Sequence, residues 1–556
     1  MLLAVLATYH RLSYGVDFTD EAFYLAIPYH FLLGGTPFVD EINILQLQTL
    51  LILPLVKLYY QATGSIDGIV LFARYVYLAF SLLVAGITFL FIRKFVAQPA
   101  AVLISLSCVA FIPLNIPAPS YNTLGMGFFT MGCMFGAWAV ANQKRLSVVA
   151  LSGVAHGLAV ISYPTLAIPS LVFIAILSAL RPMDKLRLLL AYVIGAALPF
   201  ALIAPDVIRA GAGSVLISLT YSSSFGLRDS RNALLVFSQI FNNKLAIILF
   251  LLSFALIYRR RPTLAAYVVL FLPVFVFLIQ GSNPTYVSSN WYIISYGLMA
   301  PLLLVFIGGK EKVRQMFFAV WVPSFVAGLI AASSSGNGAI SAAVGLFPAS
   351  IVTSVFVVLT FVDISSRYPK GEKYSVNHLW LAVPPVLVAS FLVIYQFGAL
   401  YRDDRVKELD TQIKTGAYAG LFTTREKNDF MTNLCNDISA LSMPSDTVLF
   451  YDRFPAGYLL TSMSPATNTM WLFQVADYQP NLDRSGLLQY YSSKNRFPDL
   501  AIKMKHVPYT RNEVNNLVYP SGDLLNNMIE GPQYRVVLSR DNYTIFRKVK
   551  ANPDIS

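Results

Sequence analysis

Residues 17 to 41 read DFTDEAFYLAIPYHFLLGGTPFVDE, and this stretch determines how the rest of the chain is interpreted. Its acidic side chains are those of Asp17, Asp20, Glu21, Asp40 and Glu41, although the 556 residues contain only 29 Asp and Glu. The stretch follows a short apolar N-terminus, so we expect it where the chain leaves a membrane and enters water. A concentration of charge at that place indicates a functional use.

The composition predicts a polytopic membrane protein. Hydrophobic residues make up 56% of the chain, charged residues 13%, and the mean hydropathy is +0.60. A water-soluble domain has a larger charged fraction than this. The net charge of +12 comes mainly from basic residues in short gaps between apolar runs. Such gaps are membrane loops, so we expect no nucleic-acid partner.

Apolar runs long enough to cross about 30 Å of hydrocarbon recur along the first 400 residues. They cover residues 68–92, 96–112, 122–141, 146–162, 164–180, 187–205, 244–258, 263–280, 291–308, 315–333, 340–362 and 378–400. The apolar residues 1–9 resemble the end of one further helix. The sequence therefore predicts an all-α domain of about twelve or thirteen transmembrane helices over residues 1–400.

Basic residues occupy every second loop, beginning with Arg93 and Lys94, and the alternate loops near residues 116, 163, 285 and 335 contain no Lys or Arg. By the positive-inside rule the basic loops are cytoplasmic. The acidic stretch and all residues after 401 then lie on the outer side, in a bacterial inner membrane on the periplasmic face.

Two outer segments have structure of their own. Residues 13–67 contain two apolar patterns of helical spacing, EAFYLAIPYHFLLGG and INILQLQTLLILPLVKLYY, which predict two interfacial helices. Residues 401–556 are polar and predict a small α/β extracytoplasmic domain. In that domain DTVLFYDRF, QYRVVLSR and NYTIFRKVK have the pattern of strands, and KELDTQIKT and TTREKNDFMTNLCNDISAL that of helices.

The acidic stretch resembles a known family signature. Asp20-Glu21-Ala22-Phe23-Tyr24, Leu32-Leu33-Gly34-Gly35, Pro37-Phe38-Val39-Asp40, Gly64 and Arg74 are similar to the N-terminal signature of the GT-C superfamily of membrane glycosyltransferases. In particular, the stretch is similar to the branch of this superfamily that contains protein O-mannosyltransferases and the lipid A aminoarabinose transferase. That branch has a His-Pro-type element where this chain has Gln46-Leu47-Gln48.

The resemblance implies an enzyme that moves a sugar from a polyprenyl-phosphate donor to a glycan, lipid or protein acceptor at the outer face. Such a transfer needs a general base for the acceptor hydroxyl and a cation for the departing phosphate. Asp20 matches the family's first-loop acid, so we predict it as the base, with Glu21 as the second candidate. The alternative for Asp20 is a helix cap, because DFTDEAF also suits a helix start.

Asp40 and Glu41 follow a Gly-Thr-Pro turn that could return them toward Asp20. We predict that they bind the acceptor, or that Asp20 and Asp40 bind a divalent cation. A solvated turn is the alternative. The cofactor is otherwise unknown, and the five scattered histidines lack zinc-ligand spacing.

The remaining predicted site residues divide into two sets. Arg74, Lys57, Arg228 and Arg231 are candidate ligands of the lipid phosphate, since guanidinium and ammonium groups suit that anion. Arg74 could instead be an interface anchor. Tyr121, Asn122 and Tyr286 lie on loops without Lys or Arg, where rings and amides suit carbohydrate, but tyrosine is also common at membrane interfaces.

Two other functions, a transporter and a lipid-linked glycan polymerase or ligase, predict different features in the sequence. A transporter would have ionisable residues within several spans and internal repeats, which this sequence lacks. A lipid-linked glycan polymerase or ligase shares the outer loops and the polyprenyl substrate. The acidic first loop favours single-sugar transfer from a monophosphate carrier.

Overall fold

A computed structural model describes most of the chain. The described residues are 2–141, 146–180, 185–223, 231–242, 248, 251–253, 255–256, 262–279, 285–307, 311–366, 378–451, 453–472, 480–494, 496–510, 513–517, 519 and 523–549. They form two compact units. One comprises Met1–Leu12, Arg74–Leu202 and Gly226–Leu400, here called the helical unit. The other comprises Ser13–Ala73, Ile203–Phe225 and Tyr401–Ser556, here called the mixed unit.

The chain before residue 400 is helical. The first four helices are α1 (Leu2–Arg11), α2 (Asp20–Leu32), α3 (Gln46–Thr63) and α4 (Ile69–Ile92). The next helices are Gln98–Ser105, Ser107–Ala110, Tyr121–Ala141, Leu146–Ser162, Ala167–Leu180, Lys185–Ala197, Ala204–Ser223 and Arg231–Asn242. They are followed by Pro262–Leu270, Leu272–Ile279, Ser288–Gly297, Ala300–Ile307, Glu311–Met316, Val322–Ser334, Ala342–Ser366 and Val383–Gly398.

Seven stretches of helix in the described residues are long and apolar enough to cross a membrane. They are Ile69–Ile92, Tyr121–Val140, Lys185–Leu202, Ser288–Ile307, Glu311–Ser334, Gly338–Ile364 and Trp380–Gly398. Gln98–Ala110, Leu146–Ser162 and Pro164–Leu180 are shorter apolar helices. The predicted polytopic helical body is therefore confirmed, and the chain fits an integral membrane protein. The count of about twelve or thirteen spans stays a prediction.

The core of the helical unit surrounds one long helix. The span Gly338–Ile364 is 94% buried, whereas Lys185–Leu202 is only 22% buried. The buried residues of the first of these spans include small ones such as Ala342 and large ones such as Phe356, and close packing of such side chains holds helices together inside a bilayer. Span Lys185–Leu202 keeps an apolar outer face with exposed Leu186, Ile194 and Leu202, as a lipid-facing helix does.

A close helix crossing fixes the position of this central helix. A Cβ atom on Gly345 would lie 2.1 Å from the backbone nitrogen of Gly328 on the Val322–Ser334 helix. Only a residue without a side chain allows the two backbones to approach so closely. By contrast, a Cβ atom on Gly86 of α4 would meet nothing within 4 Å.

We therefore expect Gly345→Ala to lower the stability of the purified protein by about 1–3 kcal/mol, because the added methyl group forces the helices apart. The measurement is the melting temperature in detergent. Gly86→Ala is the matched control and should melt at or slightly above the wild-type temperature, since alanine favours helix. Equal melting of Gly345→Ala and wild type would contradict the crossing.

The mixed unit contains a five-stranded sheet in the order β4-β3-β5-β9-β8. The strands are β1 (Thr411–Gln412), β2 (Phe422–Thr423), β3 (Thr447–Tyr451), β4 (Ser464–Pro465), β5 (Leu500–Met504), β6 (His506–Thr510), β7 (Glu513–Asn516), β8 (Tyr534–Ser539) and β9 (Tyr543–Lys548). Strand β3 pairs parallel with β4 and β5, and β9 pairs antiparallel with β5 and β8. The two short pairs β1-β2 and β6-β7 form separate sheets.

The helices of this region are Arg425–Leu441, Pro480–Lys494 and Leu524–Ile529. The predicted strands at β3, β8 and β9 are confirmed, as is the helix Arg425–Leu441, whose N-cap Thr424 accepts a bond from the backbone of Lys427. The predicted helix in KELDTQIKT is wrong. A 3₁₀ turn at Val406–Glu408 precedes β1, which pairs with β2, a partner the local pattern does not reveal.

One boundary between the units lies between Leu400 and Tyr401, and Ser13–Ala73 belong to the same unit as Tyr401–Ser556. The predicted division into domains stays a prediction. Both helices predicted in residues 13–67 are present as α2 and α3. Helix α2 is buried from Glu21 to Phe31 on all of its faces, not on one side. This stretch is therefore part of a folded core in the mixed unit.

Candidate active site

The start of helix α2 is capped by Asp17. One carboxylate oxygen of Asp17 accepts bonds from the backbone nitrogen of Thr19 (2.9 Å) and from its hydroxyl (2.6 Å). The other oxygen accepts a bond from the backbone nitrogen of Glu21 at 2.8 Å. Asp17 thus satisfies N–H groups that the helix itself leaves open. Asp20, the first residue of the helix, is left to serve another purpose.

The carboxylate of Asp20 lies against residues that follow the last membrane helix. The hydroxyl of Tyr401 donates a 2.5 Å hydrogen bond to Asp20 Oδ2, and the guanidinium of Arg402 lies 3.7 Å from the same oxygen. The hydroxyl of Thr19 also reaches this oxygen, at 3.4 Å. The Asp20 side chain keeps 23% of its surface exposed, so a reactant can still approach the carboxylate.

Burial raises the pKa of the Asp20 carboxyl above its usual value, and the nearby Asp17 charge raises it further. The positive charge of Arg402 and the hydrogen bonds from Tyr401 and Thr19 act in the opposite direction. The net result is a carboxylate that holds a proton more strongly than an exposed aspartate. A general base needs this property, because it works best when its pKa lies near the pH at which the enzyme operates.

Arg402 is held in a constrained position beside Asp20. Its backbone has a φ of 50°, in the left-handed region that residues with side chains seldom adopt. The guanidinium donates to the hydroxyl of Thr19 and lies over the rings of Tyr401 and Tyr509, 5.0 and 4.8 Å from their centroids. The Arg402 side chain is 30% exposed. Backbone strain of this kind is concentrated at functional positions.

A buried ion pair between Lys427 and Asp403 joins the segment that contains Arg402 to the residues just before Asp17. The ammonium of Lys427 lies 3.5 Å from Asp403 Oδ1 and donates to the backbone oxygens of Val16 and Arg402, both at 2.6 Å. The other oxygen of Asp403 accepts from the backbone nitrogen of Val16 at 2.7 Å and from the Thr423 hydroxyl at 2.9 Å. The pair therefore holds the backbone of residue 16 beside that of residue 402, whose side chain contacts Asp20.

We expect Lys427→Met to destabilise the protein by about 3–5 kcal/mol, because Asp403 would remain charged and buried without its partner. The measurement is the free energy of unfolding in detergent. Arg425→Met is the matched control, because Arg425 pairs with Asp429 on the exposed face of the same helix. Its effect should stay below about 1 kcal/mol. A loss in both variants of similar size would refute the special role of Lys427.

Glu21 is buried in the first turn of α2, with 1% of its surface exposed. Its backbone nitrogen donates to Asp17, as described. The solvent-facing carboxylate of this pair of neighbours is therefore that of Asp20. This difference favours Asp20 over Glu21 as the residue that meets a reactant.

Asp40 and Glu41 take different roles. Asp40 accepts from the backbone nitrogen of Thr36 at 2.7 Å and from the Tyr490 hydroxyl at 2.7 Å, with Lys494 at 3.9 Å. None of these partners is shared with Asp20, which is held by Thr19, Tyr401 and Arg402. In the described ranges, no group of three or more His, Cys, Asp or Glu residues could hold a metal ion.

Glu41 is fully buried and ties two segments of the mixed unit together. One of its oxygens accepts from the backbone nitrogen of Asn43 and the other from that of Met470, both at 2.9 Å. The amide of Gln46 donates to the Glu41 backbone oxygen and accepts from the backbone of Phe38, so Gln46 holds the same turn. These bonds occupy Glu41 with the fold.

Burial raises the pKa of Glu41 to about 7, although backbone hydrogen bonds oppose the shift. In the unfolded chain the Glu41 carboxyl ionises near its ordinary pKa of 4.5, whereas in the folded protein it keeps its proton up to about pH 7. Its contribution to stability is therefore present below pH 4.5 and is lost as the pH rises through 7, by about 3 kcal/mol in all.

We expect wild type to lose stability relative to Glu41→Gln between pH 5 and pH 8, because the glutamine cannot ionise. The measurement is the difference in melting temperature between the two proteins across that range. Other titrating groups, such as His30, are present in both proteins and cancel. A difference that stays constant with pH would show that Glu41 does not titrate in this range.

The predicted lipid-phosphate ligands are distributed over both units. Lys57 is exposed on α3 in the mixed unit. Arg74 belongs to the helical unit, where it is buried and donates to the backbone oxygen of Leu12 at 2.6 Å. Arg231 is exposed at the start of a helix of that unit. Arg228 lies outside the described residues.

The predicted carbohydrate contacts Tyr121, Asn122 and Tyr286 all belong to the helical unit. The ring of Tyr121 lies 5.3 Å from that of Tyr163, centroid to centroid, and Asn122 is buried beside it. Tyr286 keeps 40% of its surface exposed. The two tyrosines thus present aromatic surface, whereas the Asn122 side chain is enclosed.

Sequence reasoning did not identify Tyr401, Arg402, Asp403 or Lys427. The available signal was the polar run YRDD directly after the last apolar span. That run lies more than 380 residues from Asp20 along the chain, so their contact is a property of the tertiary structure.

Several solved structures are similar to this chain. One is the archaeal oligosaccharyltransferase AglB from Archaeoglobus fulgidus in complex with an inhibitory peptide and a dolichol-phosphate, with a TM-score of 0.45 and 11% identity over 90% of this chain and 68% of that chain. Another is the oligosaccharyltransferase of the same organism tethered to an acceptor peptide, with a TM-score of 0.43 and 11% identity over the same shares.

A third is that oligosaccharyltransferase in complex with Zn and sulfate, with a TM-score of 0.44 and 12% identity over 90% of this chain and 67% of that chain. No protein family model and no curated protein matches the chain. Similarity at these TM-scores and identities does not show an activity for this chain.

Proposed function

We propose that this protein is a membrane glycosyltransferase of the GT-C type, which moves a sugar from a polyprenyl-phosphate donor to an acceptor hydroxyl. The proposed site is at the outer face of a bacterial inner membrane. The observation that carries the proposal is the state of the Asp20 carboxylate. Asp17 caps helix α2, so Asp20 is not needed as the cap. The Asp20 carboxyl has a raised pKa and remains open to a reactant. It stands at the position that matches the family's first-loop acid.

In the proposed reaction the acceptor hydroxyl oxygen attacks the anomeric carbon of the donor sugar. A new glycosidic C–O bond forms while the bond from that carbon to the phosphate oxygen breaks, and its electron pair leaves with the polyprenyl phosphate. The hydroxyl proton passes to Asp20. A carboxylate with a raised pKa accepts this proton more readily than an exposed one.

Tyr401 and Arg402 support Asp20 in two ways. The hydrogen bond from Tyr401 fixes the direction of the carboxylate, and the Arg402 charge, which favours the ionised form, lowers its pKa against the effect of burial. Without them, burial beside Asp17 would favour the protonated form, which cannot act as a base. We regard both as positioning residues for Asp20.

The other assignments follow from chemical type. Arg74, Lys57, Arg228 and Arg231 are proposed ligands of the lipid phosphate, because the leaving group is an anion that needs cationic donors. Tyr121, Asn122 and Tyr286 are proposed sugar contacts. Asp40 is proposed to contact the acceptor, whereas the bonds made by Glu41 favour a structural role. A divalent cation held by Asp20 and Asp40 stays a prediction.

The first experiment measures release of polyprenyl phosphate from radiolabelled polyprenyl-phosphate sugars by the purified protein. We expect Asp20→Asn to lower the rate by about 10²–10⁴-fold, because the amide cannot take the proton. Asp429→Asn is the control, since Asp429 is an exposed acid of the mixed unit outside the site. Turnover by Asp20→Asn at the wild-type rate would refute the assignment. In a parallel assay with a polyprenyl-diphosphate glycan, release of polyprenyl diphosphate would instead identify a glycan polymerase or ligase.

The pH profile of Tyr401→Phe separates positioning from a purely structural role. The Tyr401 hydrogen bond lowers the Asp20 pKa, so its removal should raise that pKa and move the acidic limb of kcat/KM to higher pH. A loss of activity that is equal at every pH would contradict this role.

A further inference from the structure

The mixed unit contains a cavity that Asp20 does not line. Its volume is about 720 Å³, within the range of small-molecule binding sites. The walls are the end of α3 and the turn after it, residues 411–418, the Arg425–Leu441 helix and residues 459–462. All of these residues belong to the mixed unit and all are described.

The lining combines aromatic rings with neutral polar groups. Tyr29, Tyr60 and Tyr418 contribute rings, and the neighbouring side chains include hydroxyls and amides such as those of Thr432 and Asn428. Tyrosine presents an apolar face together with a polar hydroxyl. A ligand that fits this surface has both apolar C–H faces and many hydroxyl groups.

The charged groups of the cavity balance each other. Asp67 and Lys414 are the charged lining residues, one of each sign. A phosphate or other anion would meet no excess of positive charge, and a cation no excess of negative charge. A hydrocarbon chain would leave the hydroxyl and amide groups without hydrogen-bond partners, which costs about 1–3 kcal/mol for each buried group.

We propose that this cavity binds a short neutral glycan. The exposed ring of Tyr60 stacks on a sugar C–H face, and the threonine, asparagine and glutamine side chains exchange hydrogen bonds with the sugar hydroxyls. The inference does not rest on the proposed transferase activity, because binding needs no reaction. If the chain is a transferase, the site would retain the glycan acceptor or product at the outer face.

The cavity is connected to the segment that presents Asp20. The Tyr418 hydroxyl donates to the backbone oxygen of Asp17 at 3.4 Å, and Tyr29 belongs to α2, which begins at Asp20. Both tyrosines are almost fully buried, so they connect the wall of the cavity to the start of α2 by packing.

The test uses the full chain in detergent with four neutral disaccharides as probes: mannobiose, maltose, cellobiose and lactose. Saturation-transfer NMR measures their binding in the absence of any donor. We expect a signal from at least one disaccharide, and excess inorganic phosphate should leave that signal unchanged. Absence of binding by all four, or displacement by phosphate, overturns the proposal.

Two tryptophan substitutions on the same helix locate the binding. Thr432→Trp fills the cavity from an exposed position, so it should abolish the disaccharide signal without disturbing the core. Asn433→Trp is the matched control, because Asn433 is exposed on that helix and does not line the cavity. Equal binding by Thr432→Trp and wild type overturns the location.

Cys435 provides an internal reporter. It lines the cavity, whereas Cys108 and Cys133 are buried in the helical unit. Burial raises the pKa of Cys435 to about 11, so its reaction with a maleimide is slow and easily timed. A bound disaccharide should slow this labelling further, and an unchanged rate at saturating disaccharide contradicts the proposal.

Asp20→Asn distinguishes the two proposals from each other. The variant should bind the disaccharide as wild type does, because Asp20 does not line the cavity. Binding in a protein that shows no transfer would leave the glycan site intact and refute only the enzyme. Transfer without disaccharide binding would refute only the second site.

Discussion

The buried pair between Lys427 and Asp403 is the constraint on which the mixed unit depends. Both side chains are almost fully enclosed, so their charges have lost water and must be satisfied by each other and by backbone groups. The groups that satisfy them belong to Val16, Arg402 and Thr423. Segments that are far apart in sequence are consequently held together by one electrostatic requirement.

The arrangement of Asp20 follows from this constraint. With residues 16 and 402 fixed, Tyr401 and Arg402 are delivered to the start of α2, where Asp17 already supplies the cap. The neighbouring acids of one short stretch thereby acquire separate tasks. Asp17 stabilises the helix, Glu21 is enclosed, and Asp20 keeps a carboxylate that is partly open and has a raised pKa.

The same principle distinguishes Asp40 from Glu41. The side chains of these two adjacent residues point in different directions. Glu41 is enclosed by the backbone of residues 43 and 470. Asp40 pairs with Tyr490 and Lys494. Gln46, at the position where the resembled branch has a His-Pro-type element, supports this turn through its amide. Residues 17 to 41 are therefore as much a structural core as a source of reactive groups.

The sequence by itself determined the membrane class, most of the apolar helices and the strands β3, β8 and β9, because hydropathy and period are local properties. The contacts of Asp20 with Tyr401 and Arg402, the pairing of β1 with β2, and the grouping of Ser13–Ala73 with the C-terminal region required the tertiary structure. These features join residues that are distant along the chain, and their energy comes from burial and charge pairing that no local window of sequence contains.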